Sequence, residues 1–209
     1  MLPEYLSQVK KLVKDKMLKS ISNSNKIEEA MAYSALADSK MIRAGLVFAS
    51  SETNKNISKE SIITLSSAVE LMHTYSLIHD DLPCMDDDNL RHGLSTIHNK
   101  WNNSIAILAG DAIQPMAYYS LTHAKEIEDQ LKVKLVSMLT MACGQKGMVE
   151  GSVSSGSQTA AQFLVSSGFA QFVPKGQHDR MRDTSADVVQ FPRLRALLLY
   201  YISSFPQNL

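Results

Sequence analysis

Five aspartates fall within nine positions of one short stretch, HDDLPCMDDDNLRHG at residues 79–93. Like charges packed that tightly repel one another and cost stability unless something cationic sits among them. A donor set made only of oxygens suits a hard divalent ion, Mg2+ or Mn2+, rather than zinc. The stretch closes an apolar segment with helical spacing, which puts Asp80 and Asp81 in the last helical turn. Asp86, Asp87 and Asp88 then return to the same side about two turns later, with Leu82-Pro83 loosening the chain between. Magnesium held this way keeps positions open for phosphate oxygens, and Arg91 brings a planar donor fork suited to phosphate. A solvated acidic loop or a weak calcium site is the alternative reading of the same residues. An EF-hand is excluded, because its glycine and terminal glutamate are missing at the required spacing.

The elements that must position these groups are helices. Residues 2–19, 27–37, 40–52, 58–81, 104–125 and 129–148 each repeat apolar side chains at three- and four-residue intervals, and no strand alternation competes. Segments rich in Ser and Asn, at 22–25 and 99–103, read as helix breaks. The pattern predicts an all-α, antiparallel helical bundle. The opening residues, MLPEYLSQVKKLVKDKMLKS, mix lysines through the apolar positions and so read as an amphipathic first helix, not a signal peptide.

Composition narrows the partners. With 21 basic and 21 acidic side chains there is no net field to attract nucleic acid or an anionic membrane, so partners must be argued from local sites. No apolar run approaches the length of a membrane span. Cys84 and Cys143 lie too far apart for a metal-binding pair, and a reduced, cytoplasmic setting is expected.

The block SLIHDDLPCMDDDNLRHG, followed by ILAGDAIQ at 107–114, closely resembles the first aspartate-rich region of trans-prenyl diphosphate synthases, the bacterial farnesyl diphosphate synthases in particular. The resemblance covers residues 1–151. It implies the isoprenoid-synthase bundle around a deep cavity, a homodimer, and a DDxxxxD motif at Asp80, Asp81 and Asp86 whose magnesium ions bridge the allylic diphosphate. In DSKMIRAG the family has GGKRxRP, which assigns Lys40 and Arg43 to isopentenyl diphosphate; spaced i to i+3, the two are expected on one helix face. Asp38 and Ser39 stand where the family has glycines, Met41 for its middle arginine and Ala44 for its proline. The matching histidine, His73, also contacts isopentenyl diphosphate in the family, although a helical histidine is as readily a core or cap residue. Arg91 is implied to grip the allylic diphosphate, and His92 replaces the arginine that serves the other substrate, with one donor where a guanidinium has five. Tyr75, five residues before Asp80, matches the bulky residue that floors the pocket in short-chain members, and is otherwise an ordinary core aromatic. Asp111, at the start of an apolar helix, reads as a cap, a buried hydrogen bond or a site residue. The implied reaction condenses isopentenyl diphosphate with dimethylallyl or geranyl diphosphate to give farnesyl diphosphate, and it needs no nucleophilic side chain.

A compositional boundary lies near Gly151. Before it lysine outnumbers arginine 14 to 2 and there are 12 isoleucines; after it the ratio is 1 to 4 and one isoleucine remains. The segment GSVSSGSQTAAQ at 151–162 reads as a polar linker. Residues 152–209 are therefore expected to form a divergent or foreign tail, fused or frameshifted, that leaves the bundle incomplete at its C-terminus. The family's second aspartate motif, DDxxD, has no match there: Asp179, Asp183 and Asp187 recur every four residues but alternate with Arg180 and Arg182, like a salt-laced surface. Two readings follow. One is a farnesyl-type synthase whose chain here lacks half its active site; the other is a catalytically inactive helical protein that binds diphosphates or pairs with an intact subunit.

Overall fold

The computed structural model describes residues 2–51 and 57–149. The tail at 150–209, with its linker and its recurrent aspartates, lies outside the described residues. The chain divides into two compact units, residues 1–48 with 57–139 and residues 49–56 with 140–209. Of the second, the ends of two helices, at residues 49–51 and 140–143, and a π-helical turn at Gln145–Val149 are described.

The described residues are overwhelmingly helical, and each helix expected from periodicity forms. In order they are α1 (Leu2–Ser20), α2 (Lys26–Ala35), α3 (Ile42–Ser51), α4 (Lys59–Asp80), the four-residue α5 (Ile97–Lys100), α6 (Asn103–Thr122) and α7 (Asp129–Cys143). Side-chain caps set several boundaries. Asn25 accepts from the N–H groups of Ile27 and Glu28 to start α2, Ser58 from Ser61 to start α4, and Asn102 from Ile105 to start α6. None of the described helices is long and apolar enough to cross a membrane.

Packing follows the apolar stripes. Along α1 the buried residues Val9, Val13, Met17 and Ile21 recur every four positions, and this face lies against α4. The tightest pairing is α4 with α6. Small residues permit it: Ser67 and Ala68 on α4 and Ala106, Ala109 and Gly110 on α6 are all buried, and Leu71, Met72, Ile113 and Leu121 fill the space between. Gly110 is required by this approach, since a Cβ there would run into the imidazole of His79.

The helix expected over 129–148 ends at Cys143, and two further features depart from the expectation. Residues 90–95 form a hairpin of two-residue strands, β1 (Leu90–Arg91) and β2 (Leu94–Ser95), paired antiparallel with Leu90 opposite Ser95 and Arg91 opposite Leu94. Its turn residues, His92 (φ 53) and Gly93 (φ 78), both have positive φ, which is the primed geometry of a two-residue hairpin loop. The start of α3 is also late. Residues 38–41 are not helical, and Met41 has φ 45, so the helix begins at Ile42 instead of residue 40.

Candidate active site

The aspartate stretch leaves α4 through a tight series of turns. Asp81 caps the helix, its N–H donating to the carbonyl of Leu77 at 3.0 Å. The Leu82 carbonyl then accepts from Met85 at 2.8 Å and Asp87 at 3.1 Å, and the Asp86 N–H donates back to the Asp80 carbonyl at 2.8 Å. This last bond returns Asp86 to the end of α4 and places its charge beside that of Asp80. Burial first, and then Asp86, push the Asp80 carboxyl up to about 6.

Asp81 goes elsewhere. Only 5% exposed, it accepts from Arg91 through Nε at 2.9 Å and through Nη2, while the same Nη2 donates to Asp88 at 2.9 Å. Burial raises the Asp81 carboxyl and the guanidinium opposes the rise. Four of the five aspartates are thus divided, with Asp80 and Asp86 on one side and Asp81 and Asp88 gathered around Arg91. Among the described residues no three acidic, histidine or cysteine side chains converge as a ready metal cage. The set Asp80, Asp81 and Asp86 expected from the sequence is therefore close in space but not assembled, because the buried Asp81 takes the nearest cation, Arg91, as its counterion. The donors nonetheless suit a hard divalent ion: they are all oxygens, and Asp86 adds repulsion to a carboxyl that burial already raises at Asp80.

A small, open cleft runs beside this loop. Asp81, Arg91 and His92 line one part of it, and Glu70 and His73 on α4 and Tyr33 on α2 line another. His73 presents a sealed Nδ1 with no hydrogen-bond partner, and its imidazole is held well below its usual range by burial and then by the charges of Arg43, Arg91 and His92. Arg43 is 8% exposed and its Nε has no partner; burial pulls it down to about 10, against the pull of Glu70, so it remains charged at neutral pH. Glu70, itself buried and raised by burial, accepts the Ala44 N–H at 2.9 Å and ties the first turn of α3 to α4. An unsatisfied buried nitrogen on a residue that lines the cleft, as at His73, is the kind of group that a bound anion satisfies.

Other residues singled out in the sequence sit differently. Lys40 is exposed and precedes α3, so it does not share a helix face with the buried Arg43; the left-handed backbone at Met41 separates them. Asp38 is engaged by Lys10 of α1, which holds its carboxyl below the usual range, and Lys14 donates to the Leu36 carbonyl at 2.7 Å. His92, at the exposed hairpin tip, faces the cleft. Tyr75 packs edge-on against His79, ring centres 5.0 Å apart, and is not among the residues lining the cleft. Asp111 is exposed, 3.8 Å from the His79 Nε2, which itself lies 3.1 Å from the Ile107 carbonyl. Sequence reading missed Glu70 and Tyr33. Glu70 carried a signal, a carboxylate one turn before His73 in an otherwise apolar and small-residue helix; Tyr33 carried none.

The sequence model of polyprenyl synthetase matches residues 24–162. The chain belongs to the polyprenyl synthetase family. Farnesyl diphosphate synthase of Haemophilus influenzae is 41% identical over 130 residues, covering 62% of this chain and 44% of that protein. Farnesyl diphosphate synthase of Escherichia coli K12 is 43% identical over 127 residues, covering 60% of this chain and 42% of the other. Among solved structures, the apo FPP/GFPP synthase of Zymomonas mobilis superposes with a TM-score of 0.71 at 30% identity, over 79% of this chain and 63% of its own. The fold is accordingly that of the isoprenoid synthases, and the chain spans about half the length of the curated relatives it matches.

Proposed function

We propose that this polyprenyl synthetase chain supplies the first aspartate-rich wall of a short-chain prenyltransferase, one that condenses isopentenyl diphosphate with dimethylallyl or geranyl diphosphate to form farnesyl diphosphate. The observation that supports it most is the pairing of Arg91 with Asp81 and Asp88 at a cleft that His73 also lines, with the buried Arg43 charge close enough to act on that imidazole. Asp80, Asp81 and Asp86 would hold Mg2+, or Mn2+ in its place. When bound, the ion supplies charge that offsets the diphosphate of the allylic substrate.

The side chains have distinct tasks. Arg91 offers its planar fork to the allylic diphosphate, and its positive charge steadies the pyrophosphate as the carbon–oxygen bond ionises and the electron pair leaves with it. Arg43 and His73 receive the diphosphate of isopentenyl diphosphate, with Lys40 at the solvent edge and His92 contributing one donor at the hairpin tip. The alkene then attacks the allylic cation and a proton is lost to pyrophosphate, so no side-chain nucleophile is used. In a synthase with its second half present, Tyr75, which does not line the cleft, would limit product length near fifteen carbons. Residues 1–151 form the synthase half and 152–209 a distinct tail, which contains no adjacent aspartates. Binding of an allylic diphosphate, with little turnover, is the property the proposal assigns to these 209 residues.

Calorimetric titration of geranyl diphosphate with and without Mg2+ tests this reading. Binding should require the metal and should fall at least tenfold in Asp81→Ala. Equal affinity with and without Mg2+ would overturn the assignment.

A further inference from the structure

Arg91 sits on a strand of two residues, too short to hold a guanidinium in place by its own ladder. Something else must fix the hairpin, and the contacts of Tyr33 identify it. The Tyr33 hydroxyl donates to the Ser95 carbonyl at 2.9 Å, at the end of β2 and directly across from Leu90. Its ring meets Trp101 edge-on, with centres 5.3 Å apart and planes at 83°. The Lys100 ammonium lies over both rings, 4.1 Å from the centre of Tyr33 and 4.9 Å from that of Trp101. On the near side of the hairpin the Asn89 carbonyl accepts from the Thr96 N–H at 3.1 Å and closes the loop. The segment carrying Arg91 is thereby pinned at its outgoing end to α2, an element of the bundle.

We infer that Tyr33, with Lys100 and Trp101 as its clamp, is a positioning residue for Arg91: it sets the hairpin so that the guanidinium reaches Asp81 and the diphosphate. This rests on the function proposed above for Arg91. A cation over two aromatic faces and an edge-on ring pair resist sliding, and the hydroxyl fixes the register of β2 with it. Tyr33 also lines the cleft, so a looser clamp widens the site at the point where the hairpin faces α2.

The test is a double-mutant cycle of Tyr33→Phe with Arg91→Lys, read as the affinity for inorganic pyrophosphate in the presence of Mg2+. Tyr33→Phe keeps the ring and removes the hydroxyl, and it should weaken binding about fivefold, the scale of one net hydrogen bond. In the Arg91→Lys background, where no fork remains to be aligned, the same change should have little further effect. An equal loss in both backgrounds, or none in either, overturns the inference, whereas Arg91→Lys binding like the unmodified chain overturns the role of Arg91 instead. A second arm needs no ligand. Modification of Arg91 by phenylglyoxal, followed by peptide mass spectrometry, should quicken severalfold in Tyr33→Phe and in Lys100→Met without a large fall in melting temperature; an unchanged rate in both variants also overturns it.

Discussion

Replacing Arg91 with alanine should move metal and diphosphate affinities in opposite directions. In the chain as described, Arg91 is the cation of the site: it satisfies the 5%-exposed Asp81 through two donors and Asp88 through one. A metal ion that seeks Asp81 must displace this guanidinium. Hydrogen bonds to charged groups contribute about 1.5–3 kcal/mol, and because the Arg91 side chain is 31% exposed the lower end applies, about 1.5 kcal/mol or roughly tenfold in a dissociation constant. Arg91→Ala removes the competitor, so Mn2+ alone, followed by the electron paramagnetic resonance of the free ion, should bind about tenfold more tightly. Pyrophosphate at saturating metal, followed by calorimetry, loses its donor fork and should bind roughly 10- to 100-fold more weakly. The gain for the metal should be largest near pH 8. Burial raises the Asp81 carboxyl and Arg91 opposes that rise, so without Arg91 the carboxyl moves further up and a proton competes with the metal as the pH falls. If Arg91→Ala weakens Mn2+ binding, or leaves it unchanged at pH 8, Arg91 does not stand in for the metal and the reasoning fails.

Asp80→Asn should stabilise the chain at pH 7. The folded chain holds the Asp80 proton up to about 6 against 3.8 for the free carboxyl, so stability falls as pH rises through that window, and the amide, which does not ionise, escapes the loss. After discounting for partial exposure the gain is about 1 kcal/mol in denaturant melts at pH 7, shrinking toward zero near pH 4; no gain at pH 7 would mean that Asp80 is better solvated than its surroundings imply. Gly110→Ala should destabilise by about 1–3 kcal/mol, because the new methyl meets the His79 ring between α4 and α6. His79→Ala in the same chain should restore part of that loss, and a Gly110→Ala melt equal to that of the parent would show that the imidazole moves aside freely.

The helices were legible because a period of three and four residues is a local signal, and the caps Asn25, Ser58 and Asn102 stand within a few positions of the groups they satisfy. The acidic cluster was legible for a similar reason, since five like charges in nine positions need an explanation wherever the chain folds. What they do individually was not. Neighbouring positions at a helix end point about 100° apart around the axis, so Asp80 and Asp81 leave the helix toward different neighbours. Asp80 turns to the returning Asp86, and Asp81 turns inward to Arg91, ten residues on. The hairpin that delivers Arg91 has strands too short for any alternation, and its turn uses a histidine where Asn or Asp would have marked it. A positive φ at Met41 likewise has no sequence signature, yet it stands between Lys40 and the helix that holds Arg43. The contacts that set the site span the chain. Lys10 reaches Asp38 across 28 positions, Ala44 reaches Glu70 across 26, and Tyr33 reaches Ser95 across 62. Lys10, Tyr33 and Ser95 are unremarkable surface or helix residues on their own, and only the packing of the helices gives them a task. The chemistry of this wall is therefore local and readable, while its alignment is carried by distant residues whose types could equally have served elsewhere.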